Sequence, residues 1–173
     1  PYPHTGLPHR PLEPTGADEL LSISQQLKEM ESKGFQYEGA EGSFELLVRR
    51  KRPGYVAPFE VFDFLVLVEK RSDKDILAEA TVKARVNGTL IHTAAEGDGP
   101  VNALDKAMRK AILPFYPELE RVQLVDYKVR ILDQKSATAA LTRVLIDASD
   151  GERSWTTMGC SQNIIEASFQ ALI

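Results

Sequence analysis

A glycine-punctuated turn that leads into a helix occurs twice in the chain and constrains its fold more than any other feature. The first copy is Glu96-Gly-Asp-Gly-Pro-Val-Asn-Ala-Leu104, and the second is Gly159-Cys-Ser-Gln-Asn-Ile-Ile-Glu-Ala167. In each copy a strand-like stretch ends near a glycine, and an asparagine opens an apolar-periodic helix. The two asparagines are 61 residues apart (163 − 102 = 61), and the same shift places 62–68 over 123–129. We therefore expect the C-terminal two-thirds to be one unit used twice.

The residue periodicity predicts three strands and one helix in the first copy. Residues 61–68 are apolar at nearly every position, which is typical of a strand buried on both faces. Residues 78–86 alternate between apolar and polar, Asn87-Gly88 is a strong hairpin signal, and 89–95 is the return strand. The amphipathic helix that follows begins at Pro100, a residue favoured in the first helical turn.

The second copy repeats this order of elements. In its first strand, 122–131, the alternation places Leu124 on the face of Asp126 and opposite to Tyr127. Two further strands are predicted at 138–147 and 154–158. Asn163 and the glutamate three residues later have the spacing of a capping box, and the helix they open runs to the chain end.

Two amphipathic helices precede the repeats, at 18–34 and 40–52, and each ends near a glycine. Residues 1–17 are proline-rich and lack apolar periodicity, so we predict an extended segment or a cloning remnant there. The predicted fold class is therefore α+β. A small helical linker subdomain, 18–56, precedes two pseudo-symmetric βββα units of antiparallel sheets with helices, at about 58–115 and 120–173.

Composition and charge exclude several classes of partner. The 173 residues carry a net charge of −4 at pH 7, which gives no general attraction to nucleic acid or anionic membranes. The apolar runs are far shorter than the roughly 20 residues needed to span a bilayer. A single cysteine, Cys160, allows no internal disulfide, which fits a cytoplasmic protein. We predict neither a nucleic-acid partner nor a membrane partner.

The sequence offers little for catalysis. It contains none of the short motifs of serine hydrolases, zinc peptidases or nucleotide-binding loops. His92 falls inside a predicted strand and is expected to be structural. Cys160 lies beside a helix N-terminus, which can lower a thiol pKa, but only His92 could activate it. We therefore predict no catalytic residue and no metal site in this chain.

The glycine turns suggest a site for a small zwitterion. Helix N-termini that follow glycines expose backbone N–H groups, which bind carboxylates readily. Asp98 could pair with an ammonium group there, while an apolar tail packs against Leu124, Tyr127 or Ile131. The alternative reading is that Asp98 caps its helix and that the glycines only turn the chain. The residues alone favour neither reading.

Several segments resemble a known family. The first glycine turn, Leu124-Val-Asp-Tyr-Lys-Val-Arg-Ile131, Thr142-Arg-Val-Leu-Ile146 and Ser161-Gln-Asn-Ile-Ile-Glu-Ala-Ser168 closely resemble the C-terminal regulatory domains of citramalate synthases, in the α-isopropylmalate synthase family. Tyr37-Glu-Gly-Ala-Glu-Gly-Ser-Phe-Glu-Leu-Leu47 resembles the helical linker that joins this domain to a catalytic barrel. The resemblance extends over about 19–172, and the linker resembles the citramalate branch more than the isopropylmalate branch.

The resemblance implies a regulatory role without catalysis. The family's full enzymes condense acetyl-CoA with an α-keto acid, which is pyruvate for citramalate synthase, and use a divalent metal in a barrel that this chain lacks. Residues 57–173 would then form an amino-acid-binding dimerisation domain that needs no cofactor of its own. Its partners would be a second copy, the catalytic barrel of the same polypeptide, and isoleucine as feedback inhibitor. The implied isoleucine site comprises Gly97, Asp98, Gly99, Leu124, Tyr127, Ile131, Ser136, Ala140, Gln162 and Asn163.

Two other functions stay open on the sequence. The chain could be the leucine-binding domain of the isopropylmalate branch, or a dimerisation and docking module that binds no ligand. A nucleic-acid-binding α+β domain is disfavoured by the acidic charge.

Overall fold

The computed structural model describes residues 16–70, 72–73, 75–132 and 140–173. Most of the predicted proline-rich segment, and Ser136 of the predicted site, lie outside the described residues. The elements follow in the order α1 Ala17–Ser32, α2 Glu41–Arg50, β1 Phe59–Glu69, β2 Leu77–Val86, β3 Thr89–Gly97, α3 Pro100–Ile112, a 3-10 turn Pro117–Arg121, β4 Gln123–Ile131, β5 Thr142–Ser149, β6 Ser154–Ser161 and α4 Ile164–Leu172.

These elements form two βββα units, which confirms the predicted α+β class. Each unit has a three-stranded antiparallel sheet, with the orders β1-β2-β3 and β4-β5-β6. The strands β3 and β6 run further than predicted, to Gly97 and Ser161, and lead directly into the two glycine turns.

Each sheet buries one face beneath the helix of its own unit. Every second residue of β2 is buried, as the alternation predicts. The α3 residues that meet this face are mostly alanines, so helix and sheet approach closely. The second unit repeats the arrangement with alternate residues of β5 and with Ala167 and Ala171 of α4. The helix α4 also packs on the first unit, where the ring centroids of Phe169 and Phe64 are 4.5 Å apart.

The repeat is real, but the predicted shift of 61 residues is wrong. Phe64 on β1 pairs with Val82 on β2, and the equivalent pair in the second unit is Tyr127 on β4 with Ile146 on β5. The first strands of the two units therefore correspond at a shift of 63 residues (127 − 64 = 63). The second strands correspond at a shift of 64 (146 − 82 = 64). The two asparagines occupy different places, because Asn163 precedes α4 whereas its equivalent before α3 is Gly99. Aligning the asparagines therefore misplaced every other element.

The prediction that 61–68 is buried on both faces is also wrong for a single chain. β1 lies at the edge of its sheet, and Leu65 and Leu67 on its outer face are 63% and 53% exposed. The cause is that α3 and α4 cover only the inner face of the sheet. An uninterrupted apolar sequence makes both faces of a strand apolar. It does not ensure that an element of the same chain covers each face.

The predicted helical linker forms α1 and α2 and docks on the second unit. Ile23, Leu47 and Val48 make a small core between the helices. The backbone N–H of Met158 donates to the Ser43 hydroxyl over 2.8 Å, and the Arg143 guanidinium donates to the carbonyl of Gly34. The linker is thereby fixed to the sheet by hydrogen bonds as well as by packing.

The linker contact predicts a large effect of Gly34→Ala on stability. Gly34 has φ +93°, and a Cβ there would lie 2.5 Å from Leu141 Cδ2 and 2.9 Å from Cys160 Sγ. A left-handed alanine costs about 1–2 kcal/mol, and the crowding should add about 1–3 kcal/mol. The matched control is Gly54→Ala, with φ +79° and open space around it. Denaturant unfolding should show the larger loss for Gly34→Ala, and equal losses would contradict the docking.

Candidate ligand-binding site

The glycine turn of the first unit is shaped by a close contact between strand and helix. Gly97 ends β3, and a Cβ at this position would collide with the backbone of Ala103 in α3. The backbone N–H of Asp98 donates to Asn102 Oδ1 over 3.2 Å, which closes the turn. Gly99 is the N-cap residue of α3. The glycine at 97 is therefore required by packing, whatever the turn binds.

Asp98 does not cap the helix, so that reading of the sequence is wrong. The residue before α3 is Gly99, and no side chain accepts a capping hydrogen bond there. The side chain of Asp98 is exposed, and it makes no hydrogen bond or ion pair with another described residue. Its carboxylate is thus available to a charged group that approaches from outside the chain.

The turn of the second unit is a helix cap, as predicted. Asn163 Oδ1 accepts from the N–H groups of Ile165 and Glu166, at 2.8 and 3.3 Å. The carboxylate of Glu166 accepts from the Ser161 hydroxyl at 2.7 Å, and Ser161 Oγ accepts from the N–H of Asn163. In a capping box the glutamate side chain accepts directly from the N–H of the cap residue. Here the Ser161 hydroxyl bridges Glu166 and the N–H of Asn163. Gln162, at the tip of the turn, is exposed.

The strand β4 presents an uncovered apolar face beside this turn. All nine of its residues are exposed. Residues directly opposite one another on paired strands share a face, and Leu124, Tyr127 and Ile131 pair with Ala148, Ile146 and Thr142, all buried on the inner face. The bulge after Leu124 moves this residue onto the face of Tyr127, which corrects the predicted alternation.

The structure places the predicted site residues that it describes in two groups. The first, the β4 group, comprises Leu124, Tyr127 and Ile131 along the inner face of β4, with Ala140, Gln162 and Asn163 at its Ile131 end. Ile131 pairs with Thr142, which in turn pairs with Ser161, so the end of β4 lies in one row with the turn at Gln162 and Asn163. Ala140 is buried next to this row, where the N–H of Leu132 donates to the carbonyl of Leu141. The second group is Gly97, Asp98 and Gly99. Among the described residues, no hydrogen bond or ion pair joins the two groups.

The outer face of β4 carries charged side chains that form ion pairs with one another and with β5. Lys128 Nζ lies 2.7 Å from Asp126 and 3.0 Å from Asp147. The Lys128 hydrogen bond lowers the pKa of Asp126, and the Thr156 hydroxyl followed by Lys128 lowers the pKa of Asp147. Both carboxylates raise the pKa of Lys128. A carboxyl group whose pKa is lower in the folded state than in the unfolded state stabilises the fold at a pH above both values. The small contribution of Asp126 and Asp147 to the free energy of unfolding is therefore lost as the pH falls through the acidic range.

The groups considered for catalysis lie apart from one another. Cys160 is buried, and this burial raises the pKa of its thiol. His92 is exposed on β3. Within the described ranges, no three His, Cys, Asp or Glu side chains cluster in a way that could hold a metal ion, and no helix is long and apolar enough to cross a membrane.

Two residues of the β4 face were missed by the sequence reasoning. Val129 is 40% exposed between Tyr127 and Ile131 on the same face. Ser168 is fully buried on α4, and its hydroxyl lies 2.7 Å from that of Tyr127. A serine on the otherwise apolar buried stripe of α4 was the signal that could have indicated this contact. An open depression of about 570 Å³ between α3 and the 3-10 turn includes none of the predicted site residues.

Comparison with known proteins gives a family match over most of the chain. The sequence model of the LeuA allosteric (dimerisation) domain matches residues 38–173. An (R)-citramalate synthase of Geobacter sulfurreducens is 52% identical over 154 residues, which are 88% of this chain and 29% of that protein. The (R)-citramalate synthase of Aquifex aeolicus is 47% identical over 89% of this chain and 29% of its own length. A 2-isopropylmalate synthase of Pseudoalteromonas atlantica is 33% identical over 63% of this chain and 20% of its own length.

The two turns predict responses of different size to alanine substitution. Asp98→Ala should change the free energy of unfolding by less than about 0.5 kcal/mol, because its carboxylate has no partner among the described residues. Asn163→Ala removes a cap with two hydrogen bonds and should cost about 1 kcal/mol. Chemical denaturation of both variants would test this. A loss for Asp98→Ala as large as for Asn163→Ala would restore the capping reading.

Proposed function

The chain belongs to the LeuA allosteric (dimerisation) domain family, and on that premise we propose that it is the feedback-regulatory domain of an (R)-citramalate synthase, binding isoleucine where two copies meet. The chain spans less than a third of the length of the citramalate synthases it resembles. The condensation of acetyl-CoA with pyruvate, and the divalent metal that serves it, would belong to a barrel elsewhere in the polypeptide. This fragment would be inactive alone.

The observation that carries the proposal is the uncovered inner face of β4. In the first unit, Phe64 on the inner face of β1 packs against Phe169 of α4. Its equivalent in the second unit, Tyr127, is 40% exposed, and Leu124 and Ile131 beside it are 41% and 58% exposed. A dimerisation domain needs an apolar surface that its own fold leaves open. A second copy of the chain would cover this face rather than the exposed outer face of β1, because the β4 face also carries the predicted ligand residues Leu124, Tyr127 and Ile131.

Dimer formation would also complete the ligand site. Within one chain, the Gly97–Gly99 turn and the β4 group share no hydrogen bond or ion pair among the described residues. We propose that the dimer brings these groups together around one amino acid. The carboxylate of Asp98 would pair with the ligand ammonium, while apolar side chains on the inner faces of β4 in the two copies would contact its aliphatic side chain.

Two other functions remain candidates for specific reasons. Leucine is the second candidate ligand, because 2-isopropylmalate synthases also match the chain, at 33–34% identity. The third candidate is a dimerisation and docking module without a ligand, since the close packing at Gly97 explains that glycine without a bound molecule.

Calorimetry with isoleucine, leucine and valine tests the ligand. We expect saturable binding of isoleucine, tighter than that of leucine or valine, and loss of at least tenfold in affinity for Asp98→Ala because an ammonium would lose its charged partner. Asp98→Ala should stay folded, so a loss of affinity would report the contact itself. Binding of leucine but not isoleucine would move the chain to the isopropylmalate branch, and no binding of any of the three would favour the docking module.

Sedimentation of charged variants tests the interface. Val129→Arg places a charge on the inner face of β4 and should convert the dimer to monomer, because an unpaired charge cannot be buried between two copies. Leu65→Arg is the matched control on the outer face of β1, where the side chain is 63% exposed. It should leave the dimer intact. Dissociation by Leu65→Arg alone would place the interface on the first sheet instead.

A further inference from the structure

The two units can be compared residue by residue, because a hydrogen bond fixes their equivalence. In the first unit, the Thr93 hydroxyl donates to the carbonyl of Ala107 over 2.8 Å. In the second, the Thr157 hydroxyl donates to the carbonyl of Ala171 over 2.6 Å. Both residues of the second bond lie 64 positions after those of the first (157 − 93 = 64 and 171 − 107 = 64). The equivalence therefore extends from the strands into the helices.

At one pair of equivalent positions the units differ in chemistry. The first unit has Phe64 on β1 and the fully buried Leu104 on α3. The second has Tyr127 on β4 and the fully buried Ser168 on α4, with their hydroxyl oxygens 2.7 Å apart. A buried hydroxyl costs free energy unless it is hydrogen-bonded, and an apolar pair avoids that cost. The fold accepts apolar side chains at these positions, so packing alone does not require the polar pair.

The number of hydroxyl protons determines which residue donates in the hydrogen bond between Tyr127 and Ser168. Ser168 Oγ lies 2.6 Å from the carbonyl oxygen of Ile164, which can only accept. The single proton of the serine hydroxyl therefore goes to that carbonyl. Ser168 then accepts from Tyr127, whose own proton is committed to this bond. The phenol oxygen keeps its acceptor capacity, and Tyr127 is 40% exposed on the uncovered face of β4.

We propose that Ser168 is a positioning residue that holds the Tyr127 phenol as a hydrogen-bond acceptor for the ammonium group of the bound amino acid. This inference rests on the proposed function, and it adds to Asp98 a second contact with the ammonium group, from the second unit, where the polar pair lies. An ammonium group has three protons, so it can donate to the phenol oxygen and to a carboxylate at once. A ligand without an ammonium group offers no donor at this position.

The test is calorimetry of the 173-residue chain with isoleucine and with its deamino analogue, 3-methylpentanoate. Wild type should bind isoleucine more tightly. Tyr127→Phe and Ser168→Ala should each weaken isoleucine about tenfold and leave the affinity for the analogue unchanged. The double variant should be no weaker than either single one, because Ser168 acts through Tyr127. Ser168→Cys replaces Ser168→Ala where the alanine variant does not fold.

The matched control is Thr157→Val, which removes another hydroxyl that bonds to α4 but is not hydrogen-bonded to Tyr127. It should lower thermal stability and keep the preference for isoleucine over the analogue. Equal effects of Ser168→Ala and Thr157→Val on that preference, or additive effects of Ser168→Ala and Tyr127→Phe, would overturn the positioning role alone. Wild type that binds neither compound would overturn the proposed function as well.

Discussion

The rest of the structure depends on close contact between the backbone of a strand and the backbone of the first turn of the helix that follows it. A side chain at Gly159 would collide with the carbonyl of Ala167, and one at Gly97 would collide with the amide of Ala103. Alanines continue the contact along both helices, so helix and sheet approach more closely than larger side chains would allow. The threonine hydroxyls of β3 and β6 then bond to helix carbonyls. These contacts fix where each turn, and therefore each candidate binding group, must lie.

The sequence predicted the elements well because their signals are local. Alternation along 78–86, the Asn87-Gly88 hairpin and the cap at Asn163 each depend on a few neighbouring residues, and all are confirmed. The predicted repeat shift was wrong because it depended on matching two asparagines with different roles. Asn163 caps α4, whereas Asn102 lies within α3 and closes the turn that precedes it. The bulge after Leu124 also escaped prediction, since no glycine or proline marks it.

The coverage of strand faces could not be predicted from one chain. The apolar run at 61–68 and the alternation in 122–131 state which faces are apolar, but a face may be covered by a helix of the same chain, by a second chain or by a ligand. In this structure α4 packs on the inner face of β1, whereas it contacts that of β4 through the Ser168–Tyr127 hydrogen bond and leaves the β4 residues exposed. The candidate site depends on this difference between the units, and the approximate repeat in the sequence conceals it.

The second unit also carries the linker, because the strand β6 that leads into the Asn163 cap is hydrogen-bonded to α2. Two N–H groups at the edge of β6 are occupied, since Met158 donates to Ser43 of α2 and Cys160 donates to Gln170 of α4. These bonds block pairing of β6 with another chain at those positions. The strand then runs through Ser161 directly into the cap at Asn163. A ligand that changed the arrangement of this turn would act on a strand that is already bonded to the linker, so no longer chain of contacts is needed to connect the candidate site with the α1–α2 subdomain.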